Sequence, residues 1–147
     1  MKKMLKLAAL LLVSSVFFFA CKKKNNEAPY EPLKGIWEET LTGNYQRKLV
    51  FKEGGKFTMY LSNTNDANYL LTLNGTYAIN GENLTVNITE EVARQSNGTT
   101  VTTPLNQYNI FEKGTFSINN FLLTINYTTY PADAPVKTQA KFKRIIG

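Results

Sequence analysis

From Leu33 to the C-terminus the chain alternates between large apolar and small or polar residues, and Gly, Asn or Pro interrupts the alternation at intervals. Period-2 patterning of this kind, rich in β-branched and aromatic residues, is the signature of half-buried β-strands. The pattern predicts strands over 35–42 (turn at Gly43-Asn44), 45–52, 56–61, 69–80, 84–89, 106–119, 121–130 and 136–146, with a short one over 99–103 closed by Pro104. Residues 62–68 read as an amide-rich loop, and 90–98 as a connection holding one helical turn or none. Within the strands the apolar set is in phase, as in Phe57, Met59 and Leu61, or Leu49 and Phe51. No segment of this region has helical periodicity.

An internal repeat strengthens the β reading. Residues 75–88 and 114–127 are identical at seven of fourteen positions, with an offset of 39. Each copy begins Gly-Thr-aromatic and reads as strand, Asn-containing turn, strand. Asn80-Gly81 and Asn119-Asn120 suit the positive φ that tight hairpin turns require. A single repeat of this spacing does not make a solenoid, which needs at least three units. Eight or nine antiparallel strands in this length leave two architectures, an up-and-down barrel and a two-sheet β-sandwich. Sequential hairpins with short turns favour the barrel, because closure removes the exposed edges.

The N-terminus has a different pattern. Lys2, Lys3 and Lys6 precede an apolar run of 14 residues, 7–20, broken only by Ser14 and Ser15. This is signal-peptide anatomy, and the run is shorter than the roughly 20 residues a membrane-spanning helix needs. The expected organisation is a signal peptide over 1–20, a flexible tether over 21–32 and one β domain over 33–147. The tether carries Lys22, Lys23, Lys24, two prolines and almost nothing to bury. The net charge of +6 overstates the basicity of the domain. Three of the 17 basic residues lie in the signal, which leaves 14 against 11 acidic, and the tether lysines account for that excess. A near-neutral folded part argues against nucleic-acid binding.

The chemistry is sparse. The chain has no histidine, so the commonest general base and metal ligand are missing. Its one cysteine, Cys21, permits no internal disulfide. Glu38 and Glu39 are neighbours on a strand and face opposite ways; both are expected to be solvated. No metal-ligand cluster, phosphate-binding loop or nucleophile–base pair is evident, so no catalytic residue, metal or cofactor is assigned and the protein is expected not to be an enzyme.

Two resemblances carry the functional expectation. Phe18-Phe19-Ala20-Cys21 resembles a bacterial lipobox, which implies cleavage before Cys21 and acylation of its sulfur. The domain resembles the lipocalin-like domains of Bacteroidota lipoproteins through Leu33-Lys34-Gly35-Ile36-Trp37, Phe51-Lys52-Glu53-Gly54-Gly55-Lys56-Phe57, the Gly-Thr-aromatic hairpins, and Lys141-Phe142-Lys143-Arg144. That resemblance implies an eight-stranded antiparallel barrel closed where Gly35, Trp37 and Arg144 meet. It also implies a small apolar ligand held by interior aromatics, for which Trp37, Phe57, Tyr77, Phe116 and Tyr127 are the candidates. The expected protein is a monomeric outer-membrane lipoprotein, facing the periplasm or the cell surface. It binds a small apolar ligand or an envelope partner. The alternative is an interaction protein whose barrel is filled by its own side chains.

Overall fold

The computed structural model describes residues 31–40, 43–63, 66–95, 97–132 and 134–146; the expected signal, Cys21 and most of the tether lie outside them. The described chain is all β apart from two single-turn 3-10 helices, Glu31–Leu33 and Glu53–Gly55. Nine strands follow in order: β1 Gly35–Glu39, β2 Tyr45–Lys52, β3 Lys56–Asn63, β4 Asp66–Asn80, β5 Asn83–Arg94, β6 Thr100–Asn109, β7 Glu112–Asn119, β8 Leu122–Thr129 and β9 Val136–Ile145. All pairings are antiparallel. Each strand of the set β1-β2-β3-β4-β5-β7-β8-β9 pairs with the next, and β9 returns to β1, so eight strands close into an up-and-down barrel. The sandwich alternative is thereby set aside.

β6 is the ninth strand and lies outside that ring. The free edge of β5 is divided: Asn83 and Leu84 pair with β7, whereas Asn87 to Arg94 pair with β6. The expected single strand over 106–119 is therefore broken at Ile110-Phe111, where Phe111 turns inward and is 1% exposed. Asn109 stands in at the break: its Oδ1 accepts from the backbone N–H groups of Phe111 (3.0 Å) and Val86 (3.3 Å). Pro104 does not close a strand, as expected from sequence, but sits inside β6. An edge strand tolerates it because the missing N–H costs no ladder bond on the open side. The regions 62–68 and 90–98 also hold more strand than expected, since β3 runs to Asn63, β4 starts at Asp66 and β5 continues to Arg94. Polar composition concealed these extensions; strand pairing satisfies their backbone all the same.

Alternation places the core inside the ring. Trp37, Leu49, Phe51, Phe57, Leu84, Val86, Ile88, Leu123, Ile125 and Phe142 are all at most 1% exposed. Side chains of this size stabilise by about 1.5–3 kcal/mol each when removed from water. The antiparallel directions define two ends. The base carries the connections after Lys52, Asn80 and Asn119 together with both ends of the described chain. The mouth carries those after Glu39, Asn63, Arg94 and Thr129.

The base is closed by one cluster. The Trp37 indole Nε1 donates to the Leu33 carbonyl at 2.7 Å. The Arg144 guanidinium carbon lies 5.4 Å from the Trp37 ring centroid, and Nη2 donates to the Lys34 carbonyl at 2.8 Å. Gly35 has φ +131°, and a Cβ there would sit 3.4 Å from the same guanidinium. Gly35, Trp37 and Arg144 thus form a single contact across the β1–β9 seam.

The repeat also acquires a physical reason. Gly75 and Gly114 open its two copies, and both lie where strand register slips. A Cβ on Gly75 would come within 2.0 Å of the Asn87 carbonyl oxygen, and one on Gly114 within 2.7 Å of that of Leu84. Glycine in a strand interior marks such close backbone approach.

Gly75→Ala and Gly114→Ala should each lower stability by about 2–3 kcal/mol, near the top of the overpacking range because the obstacle is backbone. Gly43→Ala, with nothing within 4 Å, should leave it unchanged. Urea midpoints at constant m value check both. Arg144→Ala should cost about 1–2 kcal/mol by the same measurement, and Arg144→Lys should recover less than half because lysine lacks the planar fork.

Candidate functional site

The inward phase of β1 and β2 does not stay apolar toward the mouth. On β1 the residue in phase with Trp37 is Glu39; on β2 the residue in phase with Leu49 and Phe51 is Arg47. The two side chains meet inside the barrel. Arg47 Nε donates to Glu39 Oε2 at 2.7 Å, and Nη2 donates to Oε1 in the second arm of a bidentate pair. Nη1 reaches the Tyr127 hydroxyl at 3.4 Å, and the guanidinium lies over the Phe142 ring, 5.5 Å from its centroid. The Tyr127 ring packs edge-on against Phe111, with centroids 5.1 Å apart. Next to Tyr127 on β9 stands Thr138, whose hydroxyl pairs with that of Thr129 at 3.1 Å.

The electrostatics are those of a half-dry pair. The side chains of Arg47 and Glu39 are 24% and 12% exposed. Burial pulls the Arg47 pKa down, but the hydrogen bonds and charges of Glu39 and Tyr127 outweigh it and the net shift is upward. The guanidinium therefore stays charged at every accessible pH. Its charge is cancelled by Glu39, so the cluster attracts no anion from a distance. Among the described residues, three of its five N–H groups find acceptors. The arrangement can offer hydrogen bonds to a neutral polar group entering from the mouth, above an apolar floor.

Glu39 is a correction to the sequence reading. Glu38 and Glu39 do face opposite sides, but only Glu38 points to solvent, where Lys48 lies 3.7 Å away. Glu39 is interior, because its position places it in phase with Trp37 and Arg47 supplies the counter-charge. Arg47 was not anticipated as an interior residue at all. The signal was its spacing of two from Leu49 and of four from Phe51.

The five aromatics expected to line a ligand site do not converge. Trp37, Phe57 and Tyr77 are at most 3% exposed and belong to the packed lower barrel. There Phe51 meets Phe57 and Tyr77 edge-on at 5.2 and 4.9 Å, and the Tyr77 hydroxyl donates to the Lys52 carbonyl at 3.2 Å. Phe116 and Tyr127 are partly buried against this core. Only Tyr127 touches the interior polar group.

Outside the barrel, Thr58, Asn74 and Glu90 form a hydrogen-bonded row across β3, β4 and β5, at 3.1 and 2.9 Å. Lys34 holds the exposed Glu53 carboxyl below its ordinary pKa, and burial, with the charge of Glu91, pushes the Tyr108 hydroxyl up. Surface grooves of about 490, 440 and 300 Å³ lie over β7–β9, at the parting of β6 from β8, and over β2–β3. Arg47 and Glu39 line none of these three. Polar side chains of solvated strand faces dominate the largest and smallest of them. The interior pair is the stronger candidate because its polar groups are held by the fold and shielded from water. Among the described residues no group of three His, Cys, Asp or Glu side chains could hold a metal, and no helix is long and apolar enough to cross a membrane. No protein-family model, curated protein or solved structure matches the chain.

Removing one partner strands the other charge. Breaking a fully buried pair costs about 3–5 kcal/mol; with the residual exposure here, Glu39→Ala should cost about 2–3 kcal/mol in a urea titration. The double replacement Glu39→Leu with Arg47→Met should return to within about 1 kcal/mol of the parent, because apolar packing replaces the desolvated pair.

Proposed function

We propose that the chain is a bacterial envelope lipoprotein, anchored to the outer membrane through acyl chains on Cys21, whose lipocalin-like barrel binds a small, mainly apolar molecule at its mouth. The observation that carries the binding half is the Arg47–Glu39–Tyr127 cluster, a neutral but hydrogen-bonding group set above the apolar lower core of the barrel. A ligand of this reading presents an uncharged polar head, a hydroxyl or an amide, to the cluster and an apolar body to Phe142 and Phe111. A free carboxylate is disfavoured because Glu39 already neutralises the guanidinium. The reading is of a binding protein without catalysis, cofactor or metal, acting as a monomer.

The anchor half is supported by the sequence. A basic start, a 14-residue apolar run and a single cysteine directly after Ala20 suit signal cleavage and acylation. Two or more acyl chains hold a protein on a membrane where one chain holds it only marginally. The reading in which the barrel is filled and serves as an interaction module draws on the lower core, where Trp37, Phe51 and Phe57 leave at most 1% of their surface exposed.

Intact-mass analysis of the membrane-extracted protein should show a chain beginning at Cys21 and carrying acyl mass, and Cys21→Ser should move the protein out of the membrane fraction. An unmodified Cys21 in a full-length chain removes the anchor reading. Native mass spectrometry of the extracted protein should find a co-purifying small molecule in the parent, with at least tenfold less in the Glu39→Leu, Arg47→Met variant. Equal loading of parent and variant removes the cluster as the binding site, and an empty parent leaves the filled-barrel reading in its place.

A further inference from the structure

The base of the barrel carries an unusual surface. In the turn from β7 to β8, Asn120 and Phe121 both have positive φ, +46° and +65°. Asparagine tolerates this region, but a bulky aromatic there is an outlier, held at a cost in backbone strain. Phe121 nevertheless exposes 60% of its surface. In the first copy of the repeat the turn takes its positive φ at Gly81, so nothing in the hairpin itself demands an aromatic. A strained, solvent-exposed phenylalanine makes physical sense where the ring has somewhere else to go.

Its neighbours share the character. The Phe121 carbonyl accepts from the Arg144 N–H at 2.9 Å, which places the turn beside the end of β9. There Ile145 and Ile146 are 41% and 77% exposed, and Ile145 pairs with Ile36, itself 39% exposed. Above them on the outward face of β9 stand Lys143 and Lys141, both exposed. The order along the strand is therefore cations first and apolar residues last, toward the base.

The tether emerges at this same end. The described chain starts at Glu31, one turn before Leu33 and Lys34, whose carbonyls are bonded to Trp37 and Arg144. Nine residues separate Glu31 from Cys21. Covalent geometry limits the reach from Glu31 to Cys21 to about 35 Å, so a lipid surface holding Cys21 lies within reach of the base.

We infer that the base of the barrel docks on the lipid surface, with Phe121, Ile145 and Ile146 entering the headgroup–acyl boundary and Lys141 and Lys143 facing anionic headgroups. The barrel then stands with its mouth and the Arg47 cluster directed away from the membrane. This inference rests on the anchor reading for its biological setting, although the docking surface is a property of the folded domain. Apolar residues at the boundary and lysines at headgroup level are the two attractions that hold peripheral proteins on membranes.

The test uses the acylated protein in vesicles of phosphatidylcholine with one-quarter phosphatidylglycerol. With Cys21 acylated, a cysteine introduced at Asn120 or at Ala132 is the only thiol and takes an environment-sensitive dye. The dye at 120 should shift to the blue and be quenched by lipids brominated near the headgroup; at 132, by the mouth, it should report water. Phe121→Ser with Ile146→Ser should abolish the shift at 120, while the acyl chains keep the protein on the vesicles. Lys141→Glu with Lys143→Glu should weaken the docked state about tenfold and remove its dependence on phosphatidylglycerol. A dye at 120 that reports water, or one buried only when a second envelope protein is added, overturns the inference. The acyl mass on Cys21 is measured on the same samples and reports separately on the anchor. If Cys21 is unmodified, the Cys21→Ser form of each variant, labelled at 120 or 132 alone, is added to the vesicles from solution. A blue shift at 120 but not at 132 then still supports the docking surface, and water at both overturns it.

Discussion

The pairing of β1 with β9 is the contact on which the barrel depends. It joins Trp37 to Arg144, residues at opposite ends of the folded chain, and converts an eight-stranded sheet with two open edges into a ring. Closing so long a loop has an entropic cost that grows only slowly with length, and the contacts across the seam must offset it. Here those contacts are concentrated: a buried indole hydrogen-bonded to Leu33, a guanidinium laid over its ring and bonded to Lys34, and a glycine that leaves room for both. The 3-10 turn at Glu31–Leu33 folds against the same ring and brings the start of the domain to the base. That geometry also decides where any anchor preceding it must sit.

Curvature is the second requirement. A barrel of this size cannot be made from uniformly pleated strands, and the bends occur where the backbone can approach itself without a Cβ. Gly75 and Gly114 occupy those places, each at a slip in register. The duplicated Gly-Thr-aromatic motif is thus a duplicated bend. The two copies differ where their surroundings differ: the first hairpin turns on Asn-Gly, the second on Asn120-Phe121 at the surface where the chain ends converge. β5 bears the geometric consequence, since it is longer than the ring needs and shares its edge between β7 and the outlying β6.

The interior is graded along the barrel axis. Aromatic and aliphatic side chains fill the base, and polar groups appear only toward the mouth, where Arg47 and Glu39 neutralise each other. A bidentate pair of this kind is a weak source of stability, because desolvation offsets most of the Coulomb attraction. Its value is directional: it fixes several hydrogen-bonding groups at one place within an apolar wall. This polarity lies at one end of the barrel and the exposed Phe121, Ile145 and Ile146 at the other, so the proposed ligand and membrane contacts fall at opposite ends.

Much of this was legible in the residues. Strict alternation, the in-phase sets Leu49–Phe51 and Phe57–Met59–Leu61, and the Asn-containing turns established antiparallel strands, because side-chain direction in a strand reverses at each residue. Sequential hairpins with short turns favoured a barrel over a sandwich, whereas alternation alone says nothing of the meeting of Gly35, Trp37 and Arg144, which closure of the ring displays. Glu39 is misread when polarity is taken as a sign of exposure, and Arg47 attracts no reading at all. Phase with a buried neighbour is the better guide, but only a partner across the ring shows that a charge can stay inside. The extent of β5 and β6, the break at Ile110-Phe111, and the packing of Trp37, Phe57 and Tyr77 into a floor were decided by three-dimensional closure. They depend on contacts between strands distant in sequence, and alternation along one strand carries no information about which neighbour it will meet.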